Sequence, residues 1–409
     1  MLSTEEALRA ILACVEPLQP VEVPLDEAAG LVLAEDIEAR GDVPPFANSA
    51  MDGFAVRAAD IQSATAEYPV RLRILGDVPA GAVAAGTVAS GTTMRIMTGA
   101  PLPAGADTVV QVELTRPERA EVLVLKSLKP GTNVRLAGED MRDRATVLRR
   151  GTSLRPGEVG VCAAAGHPVV SVYPRVRVAV LTTGAELVDV SAVPGPGQIR
   201  DANAHSLRAQ VQAIGAEPVV FPRVTDTSEA VRTAVAQAVA QADVVLTNGG
   251  VSVGDYDFVR EVLEDLGAHL VFWGVKQKPG KPMGFWTLGS KYVVGLPGNP
   301  VSCMVCTEEY VRPMLRRMMG FSLLYRPVRS AILDGAYAKG ADTGRRHFVR
   351  VRLREQDGVL HAVLTGPQGS GILTSMAEAE ALAIIPEQVS TLAAGSLVDV
   401  QLSDLPEDH

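Results

Sequence analysis

Arg175-Val176-Arg177-Val178-Ala179-Val180-Leu181-Thr182-Thr183-Gly184 opens the stretch that decides the fold: a run of β-branched residues that stops at a glycine turn. A helical period follows at Leu207, Val211 and Ile214, then a short β-rich run at 219–221. Val231, Val235 and Val239 mark a second helix, 243–247 a strand, and Phe258, Val262 and Leu266 a third helix. Two further strand runs, 269–273 and 291–296, precede a long helical stretch to about Met319. Strand alternating with helix in this way predicts a doubly wound parallel sheet covered on both faces. Right-handed crossovers then bring the strand-end loops to one edge.

Outward from this unit the pattern changes in both directions. Residues 1–43 read as a helix, an extended run 21–25 and a second helical stretch over 26–34 with Asp26 as its N-cap. Residues 44–150 carry short apolar runs at 70–75 and 108–114 between Gly and Pro turns, which predicts a small β-rich unit. From about 325 the helical period is lost, and 348–353, 359–364 and 397–402 read as strands of a small β-barrel or sandwich, with 402–409 as a frayed tail. The expected fold class is therefore multidomain α/β. It has a helical/mixed N-terminal domain (1–43 plus 151–174), an inserted β-rich domain (44–150), an α/β domain (175–324) and a C-terminal small β-barrel (325–409).

A chain of 409 residues is long enough for several domains, and 47% apolar with 21% charged residues is globular composition. The net charge of −9, without a basic tail, argues against nucleic acid or an anionic membrane as main partner. No run reaches the roughly 18 apolar residues a transmembrane helix needs, and the start lacks the basic n-region of a secretory signal. A cytoplasmic protein is the expectation. Four cysteines make no disulfide framework. Cys303 and Cys306, three apart on one helix face, read as buried side chains rather than a metal or redox pair.

Three glycine-bearing loops follow strands of the α/β unit. In the first, Thr183 and Gly184 precede Ala185 and Glu186; it is neither a P-loop nor a dinucleotide fingerprint. The second holds Gly249, Gly250, Ser252, Gly254, Asp255 and Asp257, more glycine than a turn needs and suited to a nest for phosphate oxygens. Asp255 and Asp257 cannot both cap the next helix, so one carboxylate is spare for metal or base work. The third, Pro297-Gly298-Asn299-Pro300, opens a helix, and Lys276, Lys278 and Lys281 lie just upstream in a Pro/Gly-stiffened segment suited to anions. Glu186, Asp201, Asp226, Asp255 and Asp257 recur at the same edge. Carboxylates among phosphate-holding groups imply a divalent cation between them, and all-oxygen ligands favour Mg2+ over Zn2+. The residues thus read as an Mg2+-assisted phosphoryl or nucleotidyl enzyme acting on a phosphorylated small molecule.

Motifs along essentially the whole chain resemble the molybdopterin molybdenumtransferase family (MoeA and the gephyrin C-terminal domain). They are Pro44-Pro45-Phe46 with Ser49-Ala50-Met51-Asp52-Gly53, Met97-Thr98-Gly99-Ala100 and Gly138-Glu139-Asp140. Thr183-Gly184-Ala185-Glu186-Leu187, Gly197-Gln198-Ile199 with Asp201 and Asn203, and Gly249-Gly250-Val251-Ser252 follow. Lys278-Pro279-Gly280-Lys281-Pro282, Leu296-Pro297-Gly298-Asn299-Pro300 and Gly369-Ser370-Gly371 complete the set.

The resemblance implies a four-part homodimer whose third domain is like the adenylyltransferase that makes the substrate. The partner subunit walls part of the cleft. It implies insertion of molybdate into adenylylated molybdopterin with Mg2+-dependent release of AMP, and a transient contact with molybdopterin adenylyltransferase. Carried onto this chain, it gives Glu186, Asp226 and Asp257 as metal ligands and, with Asp52 and Asp140, as catalytic carboxylates. Thr98, Arg135, Thr183, Gly184, Gly249, Gly250, Ser252, Lys278, Lys281, Pro297, Asn299 and Ser370 become substrate-binding positions. Lys278, Lys281 and Ser252 are expected on phosphate oxygens; Asp52, Thr98, Arg135 and Asp140 are expected at the molybdate and pterin end. The chain departs from many relatives at Ala185, where an acidic residue is common, and at Gly274, where a cation is common and Lys276 is the nearby substitute. Two rival readings are the preceding adenylylation step, and a scaffold that only binds a partner protein.

Overall fold

The computed structural model describes residues 1–225, 227–249, 258–341 and 344–403. The stretch that opened the analysis forms the second strand of a six-stranded sheet. Its order is Glu217–Val220, Arg177–Thr182, Val244–Asn248, Lys291–Leu296, Gly284–Leu288, His269–Trp273. The first four strands are parallel. Gly284–Leu288, which the sequence reading did not anticipate, runs antiparallel to both neighbours. Alternation along each strand splits the side chains between two cores. Val178, Val180, Leu246 and Val294 face the helices Thr4–Cys14, Ala202–Ile214 and Pro300–Cys306, whereas Ala179, Leu181, Val245 and Val293 face Ser228–Gln241 and Phe258–Asp265. The first helix of the chain therefore packs on the α/β unit, through Ala7 and Ile11. Ser3 caps it with a reciprocal bond from Glu6. The stretch from Pro300 is one helical rod, with a π-helical turn at Thr307–Val311 before Arg312–Met318.

The helix expected over 26–34 does not form. A single 3-10 turn, Leu25–Glu27, is followed by Gly30 at φ +79° and then by Val32–Leu33, which pairs with Val169–Tyr173. Asp26 is not a cap, because Pro24 occupies that position without a side-chain bond. The left-handed turn at Gly30 redirects the chain into a sheet before a helix can propagate.

The insert enters and leaves this first unit side by side. Ile37–Glu38 pairs with Thr146–Leu148, and Val43 bridges Met141. Within the insert a six-stranded sheet runs in the order Thr108–Gln111, Gly53–Val56, Thr92–Ile96, Val70–Val78, Glu121–Val124, Thr115–Glu118. Gly53 is needed there for close approach, since a Cβ would lie 2.1 Å from the Val110 carbonyl oxygen.

The C-terminal unit is a closed barrel. Arg346–Gln356, Val359–Leu364, Val328–Leu333, Leu397–Leu402 and Ala381–Ile385 form a ring that closes by pairing of the first with the last. Gln277–Lys278 adds in parallel to Arg346 and His347, so a barrel strand holds the lysine-bearing segment of the α/β unit. No helix among the described residues is long and apolar enough to cross a membrane.

Candidate active site

Three strand-end loops of the α/β unit meet at one rim. Thr183 donates its backbone N–H to the Asn248 carbonyl at 3.0 Å. Gly249, at φ +90°, lies so close that a Cβ there would meet the Thr183 carbonyl oxygen at 2.5 Å. A Cβ on Gly184 would likewise meet both Glu186 carboxylate oxygens, at 2.8 and 2.9 Å. Glu186 thus folds back over its own loop and remains exposed. Thr183 Oγ1 is buried without a hydrogen-bond partner. Asp201 has a structural role: it caps Ala202–Ile214 through Ala204 N and accepts from Thr182 Oγ1 at 2.6 Å.

The third loop is tied to the first two by side-chain amides. Asn248 donates Nδ2 to the Pro297 carbonyl at 2.7 Å and to Cys303 Sγ at 3.1 Å. Asn203 Nδ2 reaches both Asn248 Oδ1 and the Gly298 carbonyl at 2.7 Å. Beyond it, Val301 N donates to the Ser370 carbonyl, which joins the barrel's loop to the start of the rod.

The lysine loop is clamped from below. Buried Gln277 donates Nε2 to the Pro279 carbonyl at 3.0 Å and accepts from Tyr310 OH, while Cys306 Sγ donates to the Gly280 carbonyl. Gly280 has φ +96°, and a Cβ on it would meet Cys306 Sγ at 2.4 Å. Above this clamp lies a cavity of about 220 Å³ lined by Lys278, Lys281, Asn299, Ser302, Arg345, Gln368 and Ser370 among others. Among the described residues its lining carries three cationic side chains, Lys278, Lys281 and Arg345. His347, paired in register with Lys278, is buried; burial and the nearby Lys339, Lys278 and Arg345 push its pKa down to about 4. It therefore stays neutral beneath the cations.

Lys276 is exposed and does not line this cavity. It sits by Glu6, whose carboxyl is held low by the Ser3 backbone and hydroxyl donors and further by Lys276. Gly274 is buried at φ +79°, and a Cβ there would meet Met1 Cγ at 3.0 Å.

In the inserted unit, Asp52 Oδ1 accepts from Thr98 N at 2.7 Å and Thr98 Oγ1 at 2.8 Å, which holds the Asp52 carboxyl below its usual pKa. Arg135 and Asp140 line a second cavity, of about 490 Å³, with Val43, Pro44, Asn48 and Glu139.

The positions expected from the sequence thus fall into three groups. Thr183, Gly184, Glu186 and Gly249 meet at the rim, and Pro297 joins them through Asn248. Lys278, Lys281, Asn299 and Ser370 line the smaller cavity, and Asp52, Thr98, Arg135 and Asp140 belong to the insert. Asp226, Gly250, Ser252, Asp255 and Asp257 lie outside the described residues. Among the described residues no group of three or more His, Cys, Asp or Glu side chains is placed to hold a metal. The sequence reading missed Arg345, Gln368 and Ser302 in the cationic cavity, and Gln277 and Asn48 as buried amides. The Arg345-Arg346 pair beside Gly344 was the available signal for the first. Asn48 precedes a motif already singled out.

Fold and site together define a four-unit α/β protein with a lysine- and arginine-lined cavity between its sheet domain and a β-barrel. Residues 2–166 match the family model for the MoeA N-terminal region (domain I and II). Residues 179–317 match a probable molybdopterin binding domain and 339–403 the MoeA C-terminal region (domain IV). The chain is 38% identical to molybdopterin molybdenumtransferase 2 of Mycobacterium tuberculosis, covering 98% of this chain and 99% of that one. It is 34% identical to the molybdopterin molybdenumtransferase of Bacillus subtilis, over 98% and 94% of the two chains. The crystal structure of the molybdopterin biosynthesis MoeA protein from Pyrococcus horikoshii superposes with a TM-score of 0.82 at 32% identity, over 98% of this chain and 100% of that one. The chain belongs to the molybdopterin molybdenumtransferase (MoeA) family.

Proposed function

We propose that the chain inserts molybdate into adenylylated molybdopterin, with Mg2+-dependent cleavage of the phosphoric anhydride and release of AMP. Family membership makes it an enzyme of molybdopterin molybdotransfer. The observation that carries the finer reading is the cavity over the Lys278–Lys281 loop, whose lining gathers Lys278, Lys281 and Arg345 and suits a tetrahedral oxyanion. Lys278, Lys281 and Ser370 grip oxyanion oxygens there, with Arg345 added to the set, and Asn299 orients them. Held donors of this kind stabilise charge as it develops on the transferring oxygens, and fixing both reactants supplies proximity.

Glu186, Asp226 and Asp257 are the proposed metal ligands, with Ser252, Thr183, Gly184, Gly249, Gly250 and Pro297 shaping the rim. Of the described members, the exposed Glu186 carboxylate and the unpartnered Thr183 Oγ1 are oxygen donors, the chemistry Mg2+ takes. When bound, Mg2+ supplies charge neutralisation at the anhydride. Asp52, Thr98, Arg135 and Asp140 serve the molybdate and pterin end. A homodimer in which one protomer's insert completes its partner's site belongs to the same reading. The division at 1–43 with 151–174, 44–150, 175–324 and 325–409, a cytoplasmic location and a transient contact with molybdopterin adenylyltransferase belong to the same reading.

The test is incubation of the purified protein with adenylylated molybdopterin and Mg2+, with and without molybdate. AMP release that requires molybdate is the expected result. Equal release in its absence would mean plain hydrolysis and overturn the reading.

A further inference from the structure

We propose that Tyr310, acting through the side-chain amide of Gln277, is the positioning residue that holds Lys278 and Lys281 in place for the substrate's oxyanion. The inference rests on the function proposed above and names the group behind the cavity on which its lysines depend.

Lysine ammonium groups sit on long flexible stems, so their placement falls to the backbone that carries them. That backbone is fixed from inside. Gln277 is fully buried, and its Nε2 donates to the Pro279 carbonyl at 3.0 Å and lies 3.4 Å from Cys306 Sγ. A carboxamide has two ends of nearly equal shape, and only the amino end can serve a carbonyl. Tyr310 decides which end faces the loop. Its hydroxyl donates to Gln277 Oε1, which leaves Nε2 to Pro279. Tyr310 is itself 1% exposed, and burial, with Cys306 and Glu309 nearby, pushes its phenol pKa well up, so the donor keeps its proton. Gln277 lines the cavity and Tyr310 does not. The effect of removing the hydroxyl therefore has to pass through the amide.

The rod is shaped for this reach. In the π-helical turn Thr307–Val311, Arg312 N donates to the Thr307 carbonyl five residues back. Such turns are rare and are frequent at functional sites. Here the turn sends three successive side chains to three different segments. Glu308 accepts from Arg326, Glu309 accepts from Gln401 Nε2 of a barrel strand at 2.6 Å, and Tyr310 reaches Gln277. The lysine segment is thereby referred to the rod as well as to the barrel strand it pairs with.

The test compares Tyr310→Phe, Gln277→Met and the combined variant with the full-length wild type. AMP affinity is read by titration calorimetry, loop order by deuterium uptake over 276–283, and stability by urea midpoint. Tyr310→Phe removes only the hydroxyl. It is expected to weaken AMP about tenfold, to raise KM more than it lowers kcat, and to speed deuterium uptake. The combined variant replaces both polar partners by apolar groups, so it should unfold at higher urea than Tyr310→Phe while AMP stays about tenfold weaker than in wild type. If Tyr310→Phe does not fold, Gln277→Met carries the same comparison. Unchanged AMP affinity in either folded single variant, or affinity that recovers together with the midpoint in the combined variant, would overturn the assignment, because the pair would then serve the fold alone. A wild type that does not bind AMP counts against the oxyanion reading, and uptake then decides this inference: faster exchange in Tyr310→Phe supports the positioning role, and unchanged exchange removes it.

Discussion

Asn203 and Asn248 share an amide-to-amide hydrogen bond of 2.7 Å that locks the first, second and third strand-end loops of the sheet into one assembly. Asn248 is almost fully buried, and its own Nδ2 satisfies the Pro297 carbonyl. Asn248→Leu removes that donor and the acceptor for Asn203 together. The expected cost is about 2–4 kcal/mol in urea unfolding, with a raised KM for substrate, since polar groups left buried and unpaired carry the full desolvation penalty. An unchanged unfolding midpoint would show that the three loops hold their places without it.

Glu186 is exposed and caps no helix, so the fold has little use for its carboxylate. Glu186→Ala should abolish molybdate-dependent AMP release while the melting temperature stays within error of wild type, and Asp257→Ala should abolish that release too. Full activity in either variant would remove that carboxylate from the catalytic set.

Gly280 occupies the left-handed region with Cys306 Sγ and Gln277 Nε2 where a Cβ would go, at 2.4 and 2.7 Å. Gly280→Ala is therefore expected to lose about 1–3 kcal/mol and to displace Lys278 and Lys281 from the oxyanion cavity. Calorimetric titration with AMP should show weakened binding even where the variant stays folded. Wild-type affinity would mean that the lysines do not depend on this turn.

Burial raises the thiol pKa of all four cysteines, most strongly at Cys303 and Cys306, where no solvent reaches the sulfur. Such thiols are poor nucleophiles at neutral pH. Titration of the native protein with Ellman's reagent should count at most the partly exposed Cys14, against all four in guanidinium. Rapid native labelling of three or more would contradict the packing of the rod against the loops.

His347 has a folded pKa of about 4 against an ordinary 6.5. Its neutral form is fully favoured above pH 6.5, and the stability it contributes is lost as pH falls through that value toward 4, because only the unfolded chain can take the proton. Between pH 7 and pH 5 the wild type should lose about 1–2 kcal/mol relative to His347→Gln, read from urea midpoints at the two pH values. Parallel curves for the two proteins would place the imidazole in contact with solvent.

Much of the α/β unit was legible because its strands and helices carry clean periods, and the rim followed from right-handed crossovers alone. Gly284–Leu288 was missed because its Gly, Phe and Trp form a buried antiparallel strand without a β-branched run. The turn at 25–27 read as a helix because Asp26 and the alanines after it fit a cap and a helical face, whereas Gly30 and the pairing of Val32–Leu33 decide otherwise. Arg345 could not be placed from sequence, since it reaches the lysine loop only through the parallel pairing of Gln277–Lys278 with a barrel strand far along the chain. Asn48 lay just before a recognised motif, but an orphaned acceptor such as its Oδ1 becomes visible only when every neighbouring donor has been accounted for.

The insert begins and ends one bridge apart, at Val43 and Met141. Its boundaries with the surrounding protein therefore resemble a socket more than a weld. Such a module can lengthen, shrink or drift in sequence without asking the neighbouring cores to repack.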